Sequence, residues 1–124
     1  MNGTSDVIIY EPDVLFSSKI ESAAQRVGAS VRVVANFAEV LSELATGKPR
    51  VLVLSLDVLE TRLGDLEEFI KKSCSRSIGY YSHVNPGIAE KAKRVGVGIV
   101  LSRGAFLAKM NSLFEEFVTK DRPS

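Results

Sequence analysis

Apolar residues along the chain follow two alternating periodicities. Short runs rich in β-branched and aliphatic residues are separated by segments whose apolar residues recur every three or four positions. Continuous apolar runs predict strands covered on both faces, and the longer period predicts amphipathic helices. Arg32 in the second run suits an edge strand with one exposed face. The predicted strands are Val7–Tyr10, Ser30–Val34, Val51–Leu54, Ile78–Tyr81 and Val97–Leu101.

Capping residues mark the limits of the predicted helices. Gly28 is suited to end the first helix, and Asn36 is suited to cap the second, with Glu39 three residues further on. Asn85 and Pro86 predict the cap and first turn of a short fourth helix. The last helix is predicted to be the most amphipathic. Its expected apolar face comprises Leu107, Met110, Leu113, Phe114, Phe117 and Val118.

The alternation describes five β-strand and α-helix units joined by short connections. Right-handed crossovers leave few topologies for such a chain, and the usual strand order is 2-1-3-4-5. We therefore expect an α/β fold of the flavodoxin-like kind, (βα)5, with a parallel five-stranded sheet in a three-layer sandwich. Residues 1–124 are predicted to form a single domain, with a core over about 6–118 and a short polar tail over 119–124.

The composition of the chain excludes several classes of function and adds little about the fold. The 124 residues carry a formal net charge of +1, so no overall field attracts nucleic acid or an anionic membrane. Cys74 is the sole cysteine, which excludes an intrachain disulfide and suits a reducing compartment. The N-terminus is polar, and the longest apolar stretch, Val51–Leu59, is too short to cross a bilayer. We expect a cytoplasmic protein with no membrane and no nucleic-acid partner.

Three segments carry a resemblance to a known family. Ile8–Asp13 looks like a first strand with its acidic loop, Lys48–Leu56 like a third strand, and Gly96–Arg103 like a fifth. Over about residues 6–118 the chain resembles the CheY-like receiver domain of two-component response regulators. The resemblance implies acidic Mg²⁺ ligands after the first strand and a phospho-accepting Asp after the third. It also implies a Ser or Thr after the fourth strand and a Lys after the fifth.

Several of these family positions are altered in this chain. Glu11 takes the first acidic position, but Pro12 stands at the second, which in the family is the direct metal ligand. Ser82 matches the hydroxyl position. Arg103 replaces the lysine, so a planar guanidinium group replaces a compact ammonium group. Gly104 replaces the proline that follows it in the family. This combination of matched and altered positions resembles that of an atypical receiver, or pseudo-receiver.

The acceptor position depends on how the third strand is aligned. Anchored on Lys48–Pro49 and the apolar run, Ser55 occupies it, and its intervals to the other pocket positions resemble those of the family. Anchored on the downstream segment 66–70, Asp57 is the acceptor instead. We expect the two residues to share a strand face but to lie roughly 6–7 Å apart along the strand, enough to spoil an in-line attack. We favour Ser55, which cannot form an acyl phosphate, with Asp57 as the alternative.

Other candidate residues also have two interpretations. Asp13 could be a displaced metal ligand, but it also stands where an N-cap for the first helix belongs. His83 is the sole histidine and has no partner motif, so an ordinary loop position is favoured. Tyr80 and Tyr81 are expected to pack on the two sides of the fourth strand.

These observations favour a stand-alone, receiver-like signalling module that acts through protein contacts, without conventional aspartyl phosphorylation, enzymatic activity or a cofactor. Its receiver-pocket candidates are Glu11, Asp13, Ser82 and Arg103. One alternative is a phosphorylatable regulator that uses Asp57 with Mg²⁺ held by Glu11 and Asp13. Another is a sensor that binds a small anion near Arg103 and Ser82. The expected partner is a protein, and a homodimer through the last helix and its neighbours is a further expectation.

Overall fold

The computed structural model describes residues 5–59, 61–73, 76–82 and 87–120, in which five parallel strands lie between two layers of helices. The strands are β1 (Val7–Tyr10), β2 (Val31–Val34), β3 (Val51–Ser55), β4 (Arg76–Tyr81) and β5 (Ile99–Ser102). The helices are α1 (Val14–Arg26), α2 (Phe37–Thr46), α3 (Glu67–Ser73), α4 (Ile88–Arg94) and α5 (Arg103–Phe114). Short 3₁₀ turns lie at Leu56–Val58 and Leu63–Leu66, and a π-helical segment, Glu115–Lys120, continues α5.

The strand order is β2-β1-β3-β4-β5, so the predicted CheY-like, flavodoxin-like fold is confirmed. Every pairing in the sheet is parallel, which brings the carboxyl ends of all five strands to one edge. β2 is an edge strand, as Arg32 predicted, and the guanidinium group of that residue lies 2.8 Å from the carboxylate of Glu43 on α2.

The sheet separates two apolar cores. One lies beneath α1 and α5, and the other lies beneath α2, α3 and α4. Alternate residues of β4 serve opposite cores: Tyr80 is buried beneath α1 and α5, whereas Tyr81 packs against the other core. The prediction that the two tyrosines pack on opposite sides of the strand is confirmed.

Local hydrogen bonds explain where two helices begin and end. The side chain of Asn36 accepts from the backbone N–H of Glu39 at 2.9 Å, and the Glu39 carboxylate accepts from that of Ala35 at 2.8 Å. Gly28 follows α1 with a φ of 86°, a conformation that favours glycine, and thereby turns the chain toward β2. The predicted Asn85–Pro86 cap, together with His83 and Cys74, lies outside the described residues.

The prediction that the last helix is the most amphipathic is wrong. Apolar and small residues also occupy the outer side of α5, including Leu107, which is 37% exposed, whereas α2 separates its two faces more strongly. The buried face of α5 and its π-helical extension comprises Phe106, Met110, Phe114, Phe117 and Val118. Within the described parts of the chain, no helix has the length and apolar character that crossing a membrane requires.

Candidate functional site at the carboxyl ends of the strands

Glu11 lies directly after β1 and is buried, with only 8% of its surface exposed. Its Oε1 atom accepts a hydrogen bond from the hydroxyl group of Tyr80 at 2.5 Å, and its Oε2 atom accepts one from the backbone N–H of Asp13 at 2.9 Å. Because a buried carboxylate requires hydrogen-bond partners, these contacts stabilise it within the fold. Both oxygen atoms of the one acidic residue that matches the family position are thus engaged by the chain itself.

Asp13 caps α1. Its Oδ1 atom accepts from the backbone N–H groups of Leu15 at 3.0 Å and Phe16 at 3.4 Å, which the first turn of a helix leaves without partners. Of its two predicted roles, the structure favours the N-cap. Among the described residues, no three acidic, cysteine or histidine side chains lie close enough together to hold a metal ion. Both carboxylate oxygens of Glu11 and the Oδ1 atom of Asp13 thus already accept hydrogen bonds from the chain.

Tyr80 fills the space between the sheet and the first turns of α1 and α5. Its ring stacks on Phe106, with centroids 4.8 Å apart and planes 6° from parallel. It meets Phe16 edge-on at 5.3 Å. The guanidinium carbon of Arg103 lies 3.9 Å from the centroid of the Phe16 ring, a cation–π contact. The residue in the family's lysine position thus covers an aromatic layer. We call Glu11, Phe16, Tyr80, Phe106 and Arg103 the Tyr80 cluster.

The Tyr80 hydroxyl group resists ionisation in this environment. Burial is the main cause, and the hydrogen bond and negative charge of Glu11 add to it, so that the pKa of Tyr80 lies well above its usual value. The positive charge of Arg103 and a side-chain hydrogen bond with Ser55 oppose this shift. At neutral pH the hydroxyl group therefore keeps its proton and remains a donor to Glu11.

Ser55 is the last residue of β3, is buried, and lies beside Tyr80 in the parallel register. The next residue, Leu56, turns out of the strand into a 3₁₀ turn and packs on Gly79 of β4. A Cβ atom on Gly79 would lie 2.9 Å from the Cδ2 atom of Leu56, so a larger residue there would require the Leu56 side chain to shift. Because the strand ends at Ser55, the expectation that Ser55 and Asp57 share a strand face is wrong.

Asp57 lies in the 3₁₀ turn, where it contacts the end of β4. Its Oδ2 atom accepts from both the backbone N–H of Ser82 at 2.9 Å and the hydroxyl group of Ser82 at 2.5 Å. Ser82 is exposed and Asp57 is partly buried. The Ser82 hydroxyl group, which matches the family's hydroxyl position, thus donates to a carboxylate of this chain. We call these two residues the Asp57–Ser82 pair.

The predicted site residues thus fall into two groups along one sheet edge. Glu11 and Arg103 belong to the Tyr80 cluster, with Ser55 beside its hydroxyl group, whereas Asp57 and Ser82 form the second group. Tyr80 itself was not predicted as a site residue, because an aromatic residue in an apolar run is typical of a core. Its position near the end of the predicted strand, two residues before Ser82, is the one sequence signal that could have placed it near the site.

Comparisons with known proteins support the fold. No protein-family model matches the sequence, and no curated protein matches it. A response regulator from Hahella chejuensis has a similar structure, with a TM-score of 0.79 and 14% identity over 95% of this chain and 98% of that one. A response regulator from Thermotoga maritima gives a TM-score of 0.75 and 11% identity over 91% of this chain and 96% of that one.

A third similar structure is a response regulator from Burkholderia pseudomallei that contains a phosphorylated aspartic acid, a calcium ion and citrate. Its TM-score is 0.67, and its 15% identity covers 94% of this chain and 74% of that one. At these identities the likeness concerns the fold. This chain has the fold of response-regulator receiver domains.

Proposed function

We propose that this chain is a receiver-like signalling module that acts by binding other proteins, without conventional phosphorylation of an aspartate. The observation that carries the proposal is the engagement of Glu11, whose two carboxylate oxygens accept hydrogen bonds from Tyr80 and from the backbone of Asp13. A carboxylate held in this way is a poor ligand for Mg²⁺, which prefers octahedral coordination by oxygen atoms that include several waters.

The residues near the acceptor position support the same proposal. Ser55, at the end of β3, carries a hydroxyl group and cannot form an acyl phosphate. Asp57 can form one in principle, but it lies beyond the strand end and accepts two hydrogen bonds from Ser82.

Protein binding is supported by apolar side chains on the α1 and α5 side of the molecule. Val14 and Leu15 in the first turn of α1 are 73% and 84% exposed, and Leu107 on α5 is 37% exposed. A groove of about 400 Å³ between these helices is lined by Leu15, Lys19, Arg26 and Met110, among others. Exposed apolar groups around a groove are typical of interaction sites. We therefore keep α5 and its neighbours as the proposed face of a homodimer.

Chemical phosphorylation tests the first part of the proposal. The protein is incubated with acetyl phosphate and Mg²⁺, and its intact mass is measured alongside an Asp57→Ala variant. We expect no mass increase of one phosphoryl group in either protein, and no rise in the melting temperature with Mg²⁺, because a ligand that binds the native state must stabilise it. A hydroxylamine-sensitive phosphoryl group that is absent from Asp57→Ala would contradict the proposal and support phosphorylation of Asp57, as in the Burkholderia protein.

Sedimentation velocity tests the second part. Leu107→Glu places a charge on the proposed dimer face and is expected to weaken self-association about tenfold or more. Val58→Glu is the matched control, because Val58 is 43% exposed but lies in the 3₁₀ turn after β3. A chain that is monomeric at all concentrations, or one that both variants weaken equally, would contradict a dimer through α5.

A further inference from the structure

Tyr80 connects parts of the molecule that are far apart in the sequence. Its backbone belongs to β4, its hydroxyl group donates to Glu11 after β1, and its ring stacks on Phe106 of α5. The same ring meets Phe16 in the first turn of α1. With 2% of its surface exposed, the side chain is fixed by contacts on every side. One residue therefore touches the β1–α1 loop, α1, β4 and α5 together.

Glu11 extends these contacts to the start of α1. While Oε1 accepts from Tyr80, Oε2 accepts from the backbone N–H of Asp13, whose own carboxylate caps the helix. An unbroken series of hydrogen bonds therefore runs from the Tyr80 hydroxyl group to the N–H groups of Leu15 and Phe16. The Tyr80–Glu11 bond is buried, so water does not compete for its two partners, whereas the bond between Asp13 and Leu15 lies at the surface.

Arg103 joins the start of α5 to the same group. It is the first residue of α5, and its guanidinium group lies over the Phe16 ring that Tyr80 supports from another side. The preceding residue, Ser102, caps the helix by accepting from the backbone N–H of Ala105 at 3.1 Å. The first turns of α1 and α5 thus meet at the ring of Phe16, beside Tyr80.

We infer that the Tyr80–Glu11 hydrogen bond is a latch that holds the first turns of α1 and α5 in one arrangement against the sheet. The two residues are positioning residues: they hold the surface that carries Val14 and Leu15 in place through side chains of the chain itself. The use of this latch in signalling rests on the proposed function, but its mechanical effect does not.

Amide hydrogen exchange of a Tyr80→Phe variant tests the latch. Phenylalanine keeps the stacked ring and removes only the hydroxyl group, which leaves the buried Glu11 carboxylate without one partner. We expect the backbone N–H groups of Leu15, Phe16 and Ala105 to exchange about tenfold faster or more, because local opening of the two first turns becomes easier. Glu11→Gln keeps the shape but removes the charge, and it is expected to produce a smaller change at the same sites.

Two controls separate the latch from a general loss of stability. Tyr81→Phe changes the neighbouring tyrosine, which faces the other core, and is expected to leave these amides unchanged. The backbone N–H of Glu39, in the Asn36 cap of α2, reports on a helix start away from the Tyr80 cluster. Unchanged exchange at Leu15 and Ala105 in Tyr80→Phe, or equal acceleration at Glu39, would overturn the latch.

The hydrogen-exchange result and the phosphorylation result can each fail without the other. Phosphorylation of Asp57 by acetyl phosphate would contradict the proposed function whatever the exchange data show. Localised acceleration in Tyr80→Phe would still support the latch in that case. Conversely, an overturned latch would leave the phosphorylation test unaffected, because that test measures a phosphoryl group on Asp57 and not the opening of the two first turns.

Discussion

Two parts of the same sheet edge use carboxylates in different ways. In the Tyr80 cluster, Glu11 is buried and accepts a hydrogen bond from Tyr80, an aromatic residue on a strand distant in the sequence. In the Asp57–Ser82 pair, a partly buried carboxylate receives two donors from one exposed serine. The Glu11 carboxylate is bonded to a tyrosine whose ring packs against two further aromatic rings, whereas the Asp57 carboxylate is bonded to a residue exposed to solvent.

The difference teaches that hydrogen-bonded carboxylates at one edge need not serve one function. Loss of a buried partner leaves a charge without solvation, which is costly, whereas water replaces a partner at the surface at small cost. The Tyr80 cluster should therefore contribute to stability and to the arrangement of α1 and α5. The Asp57–Ser82 pair should contribute little to stability.

The largest expected effect is that of Tyr80→Ala. Removal of the ring takes away its contacts with Phe16 and Phe106 and leaves the Glu11 carboxylate without its donor. We expect the free energy of unfolding to fall by about 3–5 kcal/mol, as for other buried aromatic residues. Urea denaturation followed by circular dichroism measures this loss.

The matched variant in the other group is Ser82→Ala. Because water can solvate Asp57 once the serine hydroxyl group is gone, the expected loss in the same measurement is about 1 kcal/mol or less. A loss of similar size in both variants would remove the distinction between a buried structural group and an exposed one.

The free energy of unfolding also depends on pH in alkaline solution. Since the pKa of Tyr80 is higher in the folded than in the unfolded chain, the unfolded chain releases this proton first as the pH rises. The stabilisation that this difference in pKa gives the folded chain is fully present below about pH 10, the usual pKa of tyrosine. Above that pH it is lost by about 1.4 kcal/mol per pH unit. Glu11 strengthens the shift, and Arg103 and Ser55 weaken it.

The measurement compares the free energy of unfolding of the native chain with that of Tyr80→Phe between neutral pH and the highest pH at which both fold. The difference between them isolates Tyr80 from the lysines and the other tyrosines, which titrate in both proteins. We expect the advantage of the native chain to decline above about pH 10. Parallel profiles over the whole range would show that the hydroxyl group is not shielded as proposed.

The sequence predicted the fold closely because each signal was local. Continuous apolar runs predicted all five strands to within two residues at each end, and Asn36 with Glu39 predicted the start of α2. The π-helical extension of α5 and the exposure of Leu107 were not predicted, because a helix's apolar stripe does not show which part of it meets the sheet.

The candidate site was predictable only in part. Residue type and spacing identified Glu11 and Ser82 as strand-end residues, and Asp13 could be recognised as a cap from its place before the helix. The tertiary partners of these residues could not be predicted. The bond between Glu11 and Tyr80 joins positions 69 residues apart, and no local pattern encodes such a contact.

By itself, the sequence determined the alternation of strands and helices and the parallel sheet that this alternation builds. Only the tertiary structure decided what the altered edge does with its remaining groups. Leu56 packs against Gly79 of β4, β3 ends at Ser55, and Asp57 in the following turn accepts hydrogen bonds from Ser82. The physical reason is that periodicity is set by neighbours along the chain, whereas hydrogen-bond partners are set by which strands become neighbours in the sheet.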